Sequence, residues 1–184
     1  MAVTTEITTD ATPARARFVA ARLLVAGDAF FFLGFLFAYL YLRALDSNGR
    51  WHPAHIDPSI ALGTVAVVAV VAAGLTMQLL SGRSQRQAAA VSLALVLVAT
   101  VCWGIQLFNP GFSPSHGGGY GAVFVGFSAA MLAHMLGAAY WLETIAVDSS
   151  ASSDQLVNET RAATVFVSFL TGVAVIAYIL ISLV

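Results

Sequence analysis

Apolar residues run along this chain in five long stretches, broken by short polar segments. A helix needs about 20 consecutive apolar residues to cross the roughly 30 Å hydrocarbon core of a bilayer. The pattern therefore predicts an all-α bundle of five transmembrane helices, at about 18–43, 58–81, 87–109, 119–146 and 161–184. Each span has a physical stop. The first ends at Arg43 and the run Asp46-Ser47-Asn48-Gly49-Arg50. The second opens after Asp57-Pro58 and closes at Ser81-Gly82-Arg83. The third ends at Asn109-Pro110-Gly111, where proline cannot continue the hydrogen-bond ladder. A loop from Ser113 to Gly119 carries no carboxylate, lysine or arginine, and a Ser-rich linker from Asp148 to Asn158 precedes the last span.

Residues 1–17, polar and rich in Thr and Ala, read as a mobile tail ahead of a membrane domain over 18–184. They do not read as a cleavable signal, because the apolar stretch that follows is too long and is interrupted by Arg22 and Asp28.

Composition leaves little room for another fold class. Over 184 residues, 59% are hydrophobic and 9% charged, with a mean hydropathy of +0.87, whereas a soluble domain carries about 25% charged residues. All eight basic residues are Arg. A cytoplasmic N-terminus puts Arg15, Arg17, Arg22, Arg83, Arg86 and Arg161 inside and only Arg43 and Arg50 outside, which favours N-in, C-out under the positive-inside rule. In that orientation the first outer loop holds Trp51, His52 and His55, and Tyr39, Tyr41 and Trp51 form an interfacial aromatic belt.

An ionisable group inside a span is expensive and marks a functional site by default. Asp28 lies about ten residues into the first span, hence roughly 15 Å along its axis and near the midplane. Its helical neighbours are Leu24, Val25, Phe31, Phe32 and Phe35, so the carboxyl should be protonated or hydrogen-bonded. His134 takes the corresponding place in the fourth span, among Phe127, Ala130, Met131, Gly137, Ala138 and Trp141. For both residues two roles stay open, a polar tie between helices and a proton-handling group. Glu143 falls near an interface, and Gln78 and Gln106 suit interhelical hydrogen bonds.

Nothing in the pattern holds a redox cofactor or a metal. Haem needs facing axial ligands and copper needs His or Cys sets, whereas one histidine lies inside a span and Cys102 is the single cysteine. His52 and His55 suit a solvated loop better than an ion site. No phosphate loop, nucleotide fingerprint or nucleophile elbow occurs, and no catalytic residue is assigned.

The residues nonetheless carry a resemblance. Asp28-Ala29-Phe30-Phe31-Phe32-Leu33-Gly34-Phe35, then Tyr39 and Arg43, resembles the signature of cytochrome c oxidase subunit III: an acid, two aromatics, a glycine, then a tyrosine and a basic residue. Trp51 and Pro53 are similar to the family's Trp-Pro. Thr76 falls where a Ser-Ser-x-Thr run would end, and Gly104-x-Gln106 is similar to its Gly-x-Gln. Gly119-Tyr120-Gly121-Ala122-Val123-Phe124 resembles its Ala-Tyr-Gly-Ser-Val-Phe, and His134 with Gly137 falls on the second histidine of its His-x-x-His-x-x-Gly. The match covers about residues 24–138 in order. Departures mark a diverged branch: Asp28 replaces a Glu, Met131 replaces the first histidine, Asn109 stands in the acidic place of Gln-x-x-Glu, and the Trp-His-x-x-Asp of the last helix has no counterpart. Five spans match the family's short form.

The resemblance implies an accessory, non-catalytic subunit of a multi-subunit oxidase in the aerobic respiratory chain, in a bacterial plasma membrane. Oxidase subunits I and II would be its partners, with haem and copper in those chains and none in this one. It also implies bound phospholipid, other membrane lipids as neighbours and no nucleic acid. Asp28 would be the buried membrane acid, with His134 as a possible hydrogen-bonding partner, and Arg43, Trp51, Tyr39 and Gln106 would serve interfaces or anchoring. Two other readings stay open: a subunit III-like protein associated with nitric oxide reductase, and a small transporter relaying protons through Asp28 and His134. Against the transporter, no paired discontinuous helices occur.

Overall fold

The computed structural model describes residues 11–46, 51–52, 57–112 and 117–183. Pro53, His55, Arg50, the polar run from Ser47, the segment 113–116 and residues 1–10 of the expected tail lie outside the described residues. What is described is all-helical: α1 (Ala11–Ala44), α2 (Ile60–Leu80), α3 (Gln85–Phe108), α4 (Gly118–Val147) and α5 (Ser153–Tyr178), the last continuing into a π-helical turn, Ile179–Leu183. All five are long and apolar enough to cross a membrane.

Two boundaries differ from the hydropathy pattern. α1 begins at Ala11, so residues 11–17 of the expected tail are helical, with Pro13 in the first turn, where no intrahelical donor is lost. α5 begins at Ser153, so most of the expected Ser-rich linker is helix. Ser152 caps it, its hydroxyl accepting from the amide of Gln155. Hydropathy does not see these polar ends because they project beyond the apolar segment.

The helices form a ring in which α5 packs on α1 and α2, α2 on α3, α3 on α4, and α4 back on α1 and α5. In a bilayer there is no hydrophobic drive between helices, so close backbone approach and interhelical hydrogen bonds must hold the ring. α2 and α3 meet through small residues at helical spacing, Ala66, Ala69 and Ala73 against Ala88, Ser92 and Ala99, all buried. Ser92 donates to the carbonyl of Ala73 at 3.0 Å. Against α5, a Cβ on Gly74 would stand 2.6 Å from Thr171 Oγ1, and that hydroxyl reaches the carbonyls of Val70 and Val167. Gln78 donates to Ser168 at 2.9 Å, joining the same two helices.

α1 and α5 run parallel and are pinned at both ends. Arg17 pairs with Glu159, and the hydroxyl of Tyr39 donates to the carbonyl of Leu180 at 2.7 Å. The sequence separations, 142 and 141 residues, are nearly equal, which two straight helices in constant register require. From Arg17 to Tyr39 the helix advances about 33 Å, close to the thickness of the hydrocarbon core. The two polar pins therefore stand a bilayer apart.

Candidate functional site

Two groups of residues from distant segments come together in the bundle. The first lies near the middle of α1 and α4. Asp28 Oδ1 stands 3.3 Å from His134 Nε2, with the two side chains 16% and 21% exposed. His134 Nδ1 lies 2.7 Å from the carbonyl oxygen of Ala130, one turn earlier on α4. Phe31 stacks on the imidazole with centroids 6.0 Å apart, and Phe32 packs on it at 5.0 Å. Asp28 Oδ2 is buried without a hydrogen-bond partner. An acid and a base thus share one contact inside an aromatic wall, where water competes weakly and the interaction is strong.

The second group closes the end where α1 finishes. Tyr39 stands edge-on to Trp51 at 5.1 Å, and Trp51 edge-on to Tyr120 at 6.0 Å. Tyr120 donates from its hydroxyl to the carbonyl of Ile181 and from its amide to the carbonyl of Trp51. Together with Tyr39 it satisfies carbonyls in the last turn of α5, where a helix leaves acceptors unpaired. Arg43 Nη1 donates to the Tyr39 hydroxyl at 3.3 Å. His52 stands edge-on to Tyr120 at 4.4 Å and places Nε2 3.5 Å from Asp57.

This corrects the aromatic belt. Tyr39 and Trp51 are 4% and 8% exposed and belong to the bundle's interior, and only Tyr41 faces outward. Gly119 allows it, since a Cβ there would stand 2.8 Å from the Trp51 ring. Gln106 is likewise internal: it donates to the carbonyl of Ser59 at 2.6 Å and ties α3 to the start of α2. Met131, where the resembling family has a histidine, is fully buried in the core.

Between the two groups runs an apolar cleft of about 240 Å3 walled by Phe32, Phe35, Leu36, Phe127, Phe169 and Val173. At the opposite end, α1, α4 and α5 enclose an open cleft of about 580 Å3 with Arg17, Glu159 and Asp148 among its walls. Asp148 is held below the ordinary carboxylate range, chiefly by the Ser150 hydroxyl and then by the Ser150 amide. Glu159 was missed from sequence because it falls between the expected linker, which ends at Asn158, and the span expected from 161. The spacing Ser152-x-x-Gln155, a capping-box pattern, marks the helix start that would have included it. Among the described residues no group of three or more His, Cys, Asp or Glu side chains gathers to hold a metal ion.

No protein-family model matches the chain, and comparison with curated proteins finds no match.

Proposed function

We propose that the chain is an accessory, non-catalytic subunit of a respiratory haem-copper oxidase, of the subunit III type. The observation that carries the reading is the meeting of Asp28 and His134. These are the two intramembrane ionisable residues that the resemblance singles out, they lie far apart in sequence, and they form one contact. Tyr39, Trp51 and Tyr120, three further residues of the resembling motifs, converge at one end. A chance scatter of motif-like residues over three segments would not be expected to form two compact groups.

In this role the haem and copper centres and oxygen reduction belong to partner subunits I and II, and this chain supports proton uptake and the lifetime of the catalytic subunit. The N-terminus is cytoplasmic, the membrane is the bacterial plasma membrane, and Arg17, Arg83 and Arg86 fall on the cytoplasmic side. The apolar cleft suits a lipid acyl chain, its walls being almost wholly side-chain carbon.

Deleting the chain from its host tests the role. The catalytic core should still assemble with its haem absorption intact, and it should turn over more slowly or inactivate sooner. Unchanged turnover and lifetime after deletion would contradict it.

A further inference from the structure

His134 turns one ring nitrogen to a backbone carbonyl and the other to Asp28. His134 Nδ1 is 2.7 Å from the Ala130 carbonyl oxygen. That oxygen can only accept, so Nδ1 carries a hydrogen and donates it. A neutral ring then has a bare Nε2, and Nε2 is the atom facing Asp28 Oδ1 at 3.3 Å. A bare nitrogen against a carboxylate sets two lone pairs against each other. One further proton removes the conflict, on either the ring nitrogen or the carboxyl oxygen, and leaves the pair without net charge. A lone charge near the bilayer centre is costly, which favours the neutral pair.

The two sides of the pair differ. Toward the tyrosine end, Phe31 and Phe32 cover the imidazole, and Phe32, Phe35, Phe127 and Phe169 pack on one another. Beyond them lies the apolar cleft. Toward the other end, the open cleft runs from Arg17 and Glu159 past Ala20 and Ala21 to Leu24 on α1 and to Trp141 on α4. Leu24 is one helical turn from Asp28, about 6 Å along the axis. Asp28 Oδ2, buried and unpartnered, is an acceptor that a water from this side would satisfy. The charged groups facing the cleft are Arg17 of α1, Asp148 at the end of α4 and Glu159 of α5. Among the described residues no hydrogen bond or ion pair joins Asp28 or His134 to another ionisable side chain.

We propose that Asp28 and His134 form a one-proton binding site, filled from the end of the bundle that carries Arg17, Glu159 and Asp148 and sealed from the other end by phenylalanines. Filling takes one proton from the water of the cleft and turns a pair with one net negative charge into a neutral pair; emptying returns the proton by the same route. The site stands independently of the oxidase reading, since a chain with any other partner would still hold it.

The full chain in lipid nanodiscs, labelled with 15N-histidine, tests both halves. Both ring nitrogens of His134 should report bound or hydrogen-bonded protons, and Asp28→Asn should return Nε2 to a bare nitrogen. A bare Nε2 in the unsubstituted chain would overturn the shared proton. On transfer to heavy water, Ala20→Phe, which narrows the open cleft, should slow exchange of the shared proton several-fold. Val173→Phe, which fills the apolar cleft, should leave the rate unchanged. If Ala20→Phe does not fold, Thr144→Leu narrows the same cleft from α4. An unchanged rate in the cleft variant, or slowing by Val173→Phe, overturns the one-sided route.

Discussion

The Tyr39 hydroxyl donates to the carbonyl of Leu180 across 2.7 Å and in turn accepts from Arg43. One side chain thereby ties the end of α1 to the π-helical turn of α5 and holds the cation beside it. Tyr120 does the same for Ile181 from α4, so two hydroxyls fasten three helices at one end of the bundle.

Tyr39→Phe keeps the ring packing on Trp51 and removes only the hydroxyl. It should cost about 0.5–1.5 kcal/mol, the net worth of one such bond, and Tyr39→Phe with Tyr120→Phe should cost more than either alone. Arg17→Ala, at the other pin, should cost less because the Arg17 side chain is half exposed. Unfolding of the chain in mixed micelles, followed by circular dichroism, gives the order.

Gly74→Ala should destabilise by about 1–3 kcal/mol, the usual cost of overpacking. Its new Cβ would stand 2.6 Å from Thr171 Oγ1, and turning that hydroxyl away forfeits its bonds to Val70 and Val167. Thr171→Ala added to Gly74→Ala should cost little more, since those bonds are already lost and the clashing hydroxyl is gone. The double-mutant cycle measures this coupling. Two losses that simply add would show that α2 and α5 do not depend on this approach.

Reporter domains fused within the α2–α3 connection at Arg83 and after Val184 should lie on opposite sides of the membrane, the first cytoplasmic. Protease protection in spheroplasts reads both. Signals from the same side would contradict a bundle whose first and last helices run parallel.

The apolar stretches already mark all five helices, because apolar length is the property a bilayer selects. Their polar ends escape hydropathy: the Arg17–Glu159 pair and the Ser152 cap work outside the apolar core. Asp28 and His134 were individually visible as costly residues. Their mutual contact depends on which faces of α1 and α4 meet, a tertiary fact that spacing along one helix does not hold. Trp51 and Tyr39 misled for a related reason. An aromatic at a span end suits the lipid interface and a bundle cap equally, and here Gly119 opened space for the cap.

The central proposal is that this chain serves an oxygen-reducing oxidase without holding its cofactors. Purification from the native host in mild detergent through a tag on this chain, with every co-purifying chain identified and a reduced-minus-oxidised absorption spectrum recorded, tests it most directly. The account predicts a haem-containing oxidase core in stoichiometric amount, with haem bands that stay with that core when this chain is separated from it. A chain that purifies without any haem protein, or with a nitric oxide reductase in place of an oxidase, would contradict it.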